Sequence, residues 1–132
     1  MMMSSKKEIV FITTNKNKVK EIKDLADAES KNITIAHREY DYPELQLDEI
    51  EEVAKESANY LREKMELKKP FFIEDSGLFI HALNGFPGPF SAFVFKRIGN
   101  EGILKLMADK KGEARKATFK TVVAFCESPK TA

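Results

Sequence analysis

The chain has 132 residues, 42% hydrophobic and 33% charged, with 22 Lys plus Arg against 21 Asp plus Glu and a net charge of +1. That balance suits one globular domain with one core rather than a disordered segment. It also gives no global pull toward nucleic acid or a membrane, so any anion site has to be local. The single Cys126 excludes an internal disulfide and an all-cysteine zinc site. His37 and His81 are too few for a histidine-based metal cluster, and each reads as an ordinary surface or core residue. Residues 1–7 lack the long apolar run of a signal peptide and read as a disordered tail. No segment approaches transmembrane length, and the expected location is cytoplasmic.

Taken in order, Ile9 to Ile12 is a first buried strand, followed by Thr13-Thr14-Asn15 and then a helix from about Lys16, whose apolar face carries Val19, Ile22, Leu25 and Ala26. Asn15 is placed to cap that helix. A strand, a short polar turn and a helix start make an anion site in physical terms. Unpaired N–H groups point out of the helix end, and the dipole favours negative charge. Lys16 and Lys18 add full positive charges, and Glu21, three residues after Lys18, can brace it. The plainer alternative is a capped amphipathic helix with lysines on its wet face. It is not a P-loop, because the glycine spacing is absent.

Asn32 to Ala36 reads as a second strand, and it leads into Tyr40 to Gln46, where Pro43 breaks regular structure and leaves Glu44 on a loop, either as a metal ligand or merely solvated. Glu49 to Glu66 is the longest helix, with Ile50, Val53, Ala54, Ser57, Ala58, Leu61 and Met65 as its buried stripe. Lys55 flanks the stripe, as a surface lysine or as a phosphate contact.

The run Phe71-Phe72-Ile73-Glu74-Asp75-Ser76-Gly77-Leu78 follows. Its aromatic and β-branched opening suits a buried strand. Side chains alternate along a strand, so one of the two acids can face a cleft while the other is held by structure. Ser76 and Gly77 end the run and let backbone approach a ligand. Acids at a strand end suit Mg²⁺, which takes carboxylate oxygens and keeps waters. Considered by itself, Asp75-Ser76-Gly77 is read more simply as a strand-ending turn.

Beyond it, residues 78–80 continue as a short strand, and Asn84 to Pro89 form a rigid turn-rich loop carrying an exposed Phe86. Ser91 to Ile98 is helical, Gly99 to Gly102 interrupts, and Ile103 to Met107 resumes. Ala114 to Phe125 is a long final strand, with Ala117, Phe119, Thr121, Val123 and Phe125 on one face. The order predicts an α/β fold with a mixed sheet flanked by helices. No repeat or domain boundary is visible, so residues 1–132 read as a single domain.

Three separated segments together resemble the inosine/xanthosine triphosphate pyrophosphatases. They are Thr13 to Glu21, the Tyr42-Pro43-Glu44-Leu45-Gln46 loop, and Glu74 to Leu78 continuing through Gly85-Phe86-Pro87-Gly88 to Ser91. Ile98 to Met107 looks particularly like archaeal members. No single motif is very specific; their joint order and spacing are. The resemblance implies an elongated mixed sheet and Mg²⁺-dependent hydrolysis of deaminated purine nucleoside triphosphates (ITP, dITP, XTP) to monophosphate and pyrophosphate. It implies that Thr13, Thr14, Asn15, Lys16, Asn17 and Lys18 hold the triphosphate and that Lys55, Ser76 and Gly77 contact substrate. It also makes Glu44 and Asp75 metal ligands, with Asp75 orienting or deprotonating the attacking water. A homodimer is implied as well, with the Phe86 loop as a candidate contact. The Gly85-Phe86-Pro87-Gly88 match favours this family over the related Maf-like pyrophosphatases.

Two departures stand out. Thr14 replaces the usual Gly or Ser, and a β-branched residue disfavours positive φ. The chain also ends before the family's later segments, which stack on the base and read its 6-keto edge, so it reads as a domain lacking its C-terminal portion. That leads to two expectations: apolar sheet surface left open on the last strand, and a chain that is unstable, oligomeric or aggregation-prone alone. The competing functional reading is an inactive fragment or a nucleotide- or polyphosphate-binding module without base specificity.

Overall fold

The computed structural model describes residues 7–29, 32–43 and 45–127. In chain order these form β1 (Lys7–Ile12), α1 (Lys16–Glu29), β2 (Ile33–Arg38), α2 (Ile50–Lys64), β3 (Phe71–Ile80), β4 (Pro87–Gly88), α3 (Ser91–Leu106) and β5 (Ala117–Cys126). Short 3-10 turns occupy His81–Leu83 and Gly112–Arg115. The strand order is β2-β1-β3-β4, with β5 also paired to β3. This is the α/β class with a mixed sheet that the element order predicts.

The chain divides into two compact units where the sequence shows no boundary. One comprises Met1–Glu44, Lys55–Glu74 and Val123–Ala132, the other Leu45–Ala54 and Asp75–Val122. Three of the four divisions fall inside α2, β3 and β5, where regular secondary structure leaves no change of composition to read, and the fourth, at 44/45, lies between β2 and α2.

In the first unit, β1 pairs in parallel with β2 from Lys7↔Ile33 to Ile12↔Arg38, and with β3 through Val10↔Phe71 and Phe11↔Phe72. Lys7 therefore belongs to β1 and not to the tail. Its N–H donates to the Asn32 carbonyl at 2.8 Å, a ladder bond that composition cannot reveal. Alternation puts Val10 and Ile12 on the same sheet face as Phe71 and Ile73. Leu61 and Met65, four residues apart, complete that core, with Ala36, Ala58, Ala124 and Cys126 packed around it. Phe11 and Phe72 stack on each other with ring centroids 4.5 Å apart. The stripe expected of α2 is buried at Ile50, Val53, Ala54, Ser57 and Leu61.

In the second unit, β3 does not end at Ser76-Gly77 but runs on to Ile80. Gly77 is required there by packing. A Cβ would stand 2.4 Å from the Gly88 carbonyl oxygen of β4, which pairs antiparallel through Leu78↔Gly88 and Phe79↔Pro87. The Ser91 hydroxyl fastens this corner, accepting from the Leu78 N–H at 2.8 Å and donating to the Gly88 carbonyl at 2.7 Å. Gly77→Ala is therefore expected to destabilise by about 1–3 kcal/mol, the usual cost of overpacking. Denaturant unfolding measures it, and a change below about 0.5 kcal/mol would show that β4 yields freely.

The expected four-residue interruption of α3 narrows to one residue. Gly99 alone is non-helical (φ 63°, ψ −173°), a conformation open to glycine, and helical geometry resumes at Asn100. The last strand begins at Ala117 and not Ala114, because Gly112–Arg115 curl into a 3-10 turn. That turn is held by Arg115 Nη1, which donates to the Met107 and Lys110 carbonyls at 2.9 and 3.0 Å. Phe119, Val123 and Phe125 of β5 are exposed, as expected of an open apolar face. Phe86 is exposed too.

Candidate functional site

The first cluster lies where β1 hands over to α1. Asn15 caps the helix as its position predicts: its Oδ1 accepts the Lys18 N–H at 3.1 Å, and its own N–H donates to Thr13 Oγ1 at 3.1 Å. Thr14, Asn15, Lys16 and Asn17 are exposed, and Thr13 and Lys18 are half-buried. Among the described residues Asn84 is the only non-glycine with positive φ, so Thr14 sits in ordinary backbone and its branching causes no strain. No acid occupies the first turn of α1, so the helix end keeps its positive character.

Lys18 is held on two sides. Its Nζ lies 3.4 Å from Glu21 and 3.3 Å from Glu74 of β3. The Glu74 carboxylate, by its charge and then by hydrogen bonding, raises the Lys18 pKa above the ordinary lysine value; burial opposes this, and Glu21 adds a lesser contribution in the same direction as Glu74. A raised pKa stabilises the fold below the ordinary lysine value, and that contribution disappears as pH climbs through the raised one. At neutral pH Lys18 is a cation.

The sequence foresaw that one of the two adjacent acids would be held by structure, but not which one or by what. Glu74 is held by Lys18, 56 positions away in the chain. His37, ordinary by its place in the sequence, donates from Nε2 to the Thr13 carbonyl at 2.8 Å and fixes the start of the turn before α1. The parallel β1–β2 register, which puts Phe11 opposite His37, creates that contact.

The second cluster is on β3 within the other unit. Asp75 follows Glu74 and by strand alternation takes the opposite face. It is half-buried, with Oδ2 shielded from solvent. Ser76 Oγ is 2.9 Å from Thr121 Oγ1 of β5, and nearby His81 Nε2 meets Thr118 Oγ1 at 3.0 Å. Gly77 is buried against Gly88. Lys55 belongs to the first unit and is exposed on α2. Elsewhere in the second unit Lys120 pairs with Glu51 and pulls the Glu51 pKa below the ordinary carboxylate value.

Glu44 lies outside the described residues. Among the described residues no three His, Cys, Asp or Glu side chains converge as a metal cage. Mg²⁺ needs less, since it is commonly held by one or two carboxylates together with waters and substrate phosphates. The hard oxygens of Asp75 fit that donor set. No helix among the described residues is long and apolar enough to cross a membrane.

The profile described as the Ham1 family matches residues 9–132. A dITP/XTP pyrophosphatase of Methanopyrus kandleri is 49% identical over 120 residues, covering 91% of this chain and 61% of the relative. One of Methanosarcina acetivorans is 45% identical over 123 residues, 93% of this chain and 64% of the relative. One of Thermococcus kodakarensis is 44% identical, covering 89% and 60%. The chain thus spans about 60% of the length of these archaeal relatives. Among solved structures, a HAM1 protein from Coxiella burnetii matches with a TM-score of 0.71 at 24% identity, over 93% of this chain and 64% of that one. A nucleoside-triphosphatase / dITP/XTP pyrophosphatase from Mycobacterium abscessus matches at 0.68 and 22%, over 95% and 66%. Both share the fold.

Proposed function

The chain belongs to the Ham1 family, and from that premise we propose that it hydrolyses the deaminated purine nucleoside triphosphates ITP, dITP and XTP to monophosphate and pyrophosphate in the cytoplasm, as a homodimer. The observation that carries this is the similarity to dITP/XTP pyrophosphatases over nine-tenths of the chain. The capped, lysine-bearing start of α1 supports it, because a polyphosphate needs fixed N–H donors and cations.

In this reading Thr13 to Lys18 hold the triphosphate, with His37 and Asn15 keeping the turn in shape. Lys55 adds a further cation toward the substrate, and Ser76 and Gly77 contact it. Water attacks the α-phosphorus, the bond to the bridging oxygen breaks, and pyrophosphate leaves. Asp75 orients that water and accepts its proton. Asp75 with Glu44 would hold Mg²⁺, which when bound neutralises charge on the phosphate oxygens.

The test is pyrophosphate release from ITP and from ATP by this chain, with and without Mg²⁺. The expected result is metal-dependent release favouring ITP. Binding of both triphosphates without release, by folded protein, would instead support the polyphosphate-binding module.

A further inference from the structure

We propose that Glu74 is a positioning residue for Lys18, anchoring its ammonium at the N-terminus of α1 so that the charge is already in place for an incoming polyphosphate. This rests on the reading of Thr13 to Lys18 as the triphosphate cradle. The backbone end of Lys18 is fixed by Asn15, whose Oδ1 accepts its N–H at 3.1 Å. The far end is fixed by Glu74 at 3.3 Å.

The two carboxylates around Lys18 are not equivalent. The Glu74 side chain is 12% exposed and stands on a paired strand, whereas that of Glu21 is 70% exposed on a helix surface. A solvated pair is screened and holds little, while a shielded one on a rigid element holds geometry. Glu74 is therefore the anchor and Glu21 the arm that a phosphate displaces. A free lysine side chain has to be immobilised each time a ligand binds, and an anchored one has lost that freedom beforehand. The effect opposes simple charge counting, since removing a carboxylate beside an anion site should otherwise tighten anion binding.

A double-mutant cycle with inorganic triphosphate as the probe, by calorimetry at fixed ionic strength without metal, separates the two. Glu74→Gln is expected to weaken binding by about three- to tenfold, and to have no further effect in a Lys18→Met background. Glu74→Asp, which keeps the charge but shortens the reach, is expected to weaken binding as well, and it serves if the amide variant does not fold. Unchanged or tighter binding in Glu74→Gln would overturn the proposal, as would equal weakening with and without Lys18. If Lys18→Met alone leaves triphosphate binding intact, the cradle reading itself fails and the proposal falls with it.

Discussion

Asp75→Asn is expected to lower pyrophosphate release from ITP by at least about 100-fold, the lower range for removing a positioned acid–base group, with the fold intact. The substitution keeps shape and volume and removes only charge and proton affinity. An amide cannot take the proton of water at neutral pH and is a poor ligand for a hard cation. Stability should hardly suffer, because the amide has the volume and shape of the carboxylate and leaves the packing around half-buried Asp75 unchanged. Parallel measurements of turnover and thermal unfolding decide the matter. Turnover within tenfold of the parent would move the catalytic role to another residue. Loss of both turnover and cooperative unfolding would make Asp75 structural.

Phe71→Ala carries the largest expected effect on stability. Phe71 is fully buried among Val10, Ile12, Leu61, Met65 and Ile73, and its backbone sits in register with Val10 where β3 joins β1. Truncation to Ala removes the ring and leaves a cavity, at about 3–5 kcal/mol. Folded domains hold about 5–15 kcal/mol in total, so the unfolding midpoint should fall by about 10–20 °C. Phe119→Ala is the matched control. That ring is 71% exposed, and its loss should change stability by no more than about 0.5 kcal/mol. Similar losses at both positions would show that the β5 face is covered in solution.

Much of this architecture is local information. The α2 stripe follows from helical period alone, because a helix must bury one face wherever it docks. The Asn15 cap follows from the chemistry of four consecutive residues. Asp75 and the helix-start lysines stand out in the sequence because acids and cations are the residue types that a reaction on phosphates would need. The two adjacent acids were expected to divide between two faces because strand geometry has a period of two.

What stayed hidden depends on partners distant in the chain. Gly77 reads as a strand end until the Gly88 carbonyl is seen 2.4 Å from where its Cβ would be. Glu74 and Asp75 are indistinguishable as letters, and only the β1–β3 pairing that brings β3 beside the start of α1 gives Glu74 to Lys18. His37 looked ordinary until the β1–β2 register set it beside the Thr13 carbonyl. The sequence alone determined most of the elements and the residue types they carry, since period, capping and side-chain type are properties of neighbouring residues. Tertiary structure alone decided which acid holds the lysine, which glycine is structural and what steadies the turn before α1, because strand register is a property of residues far apart.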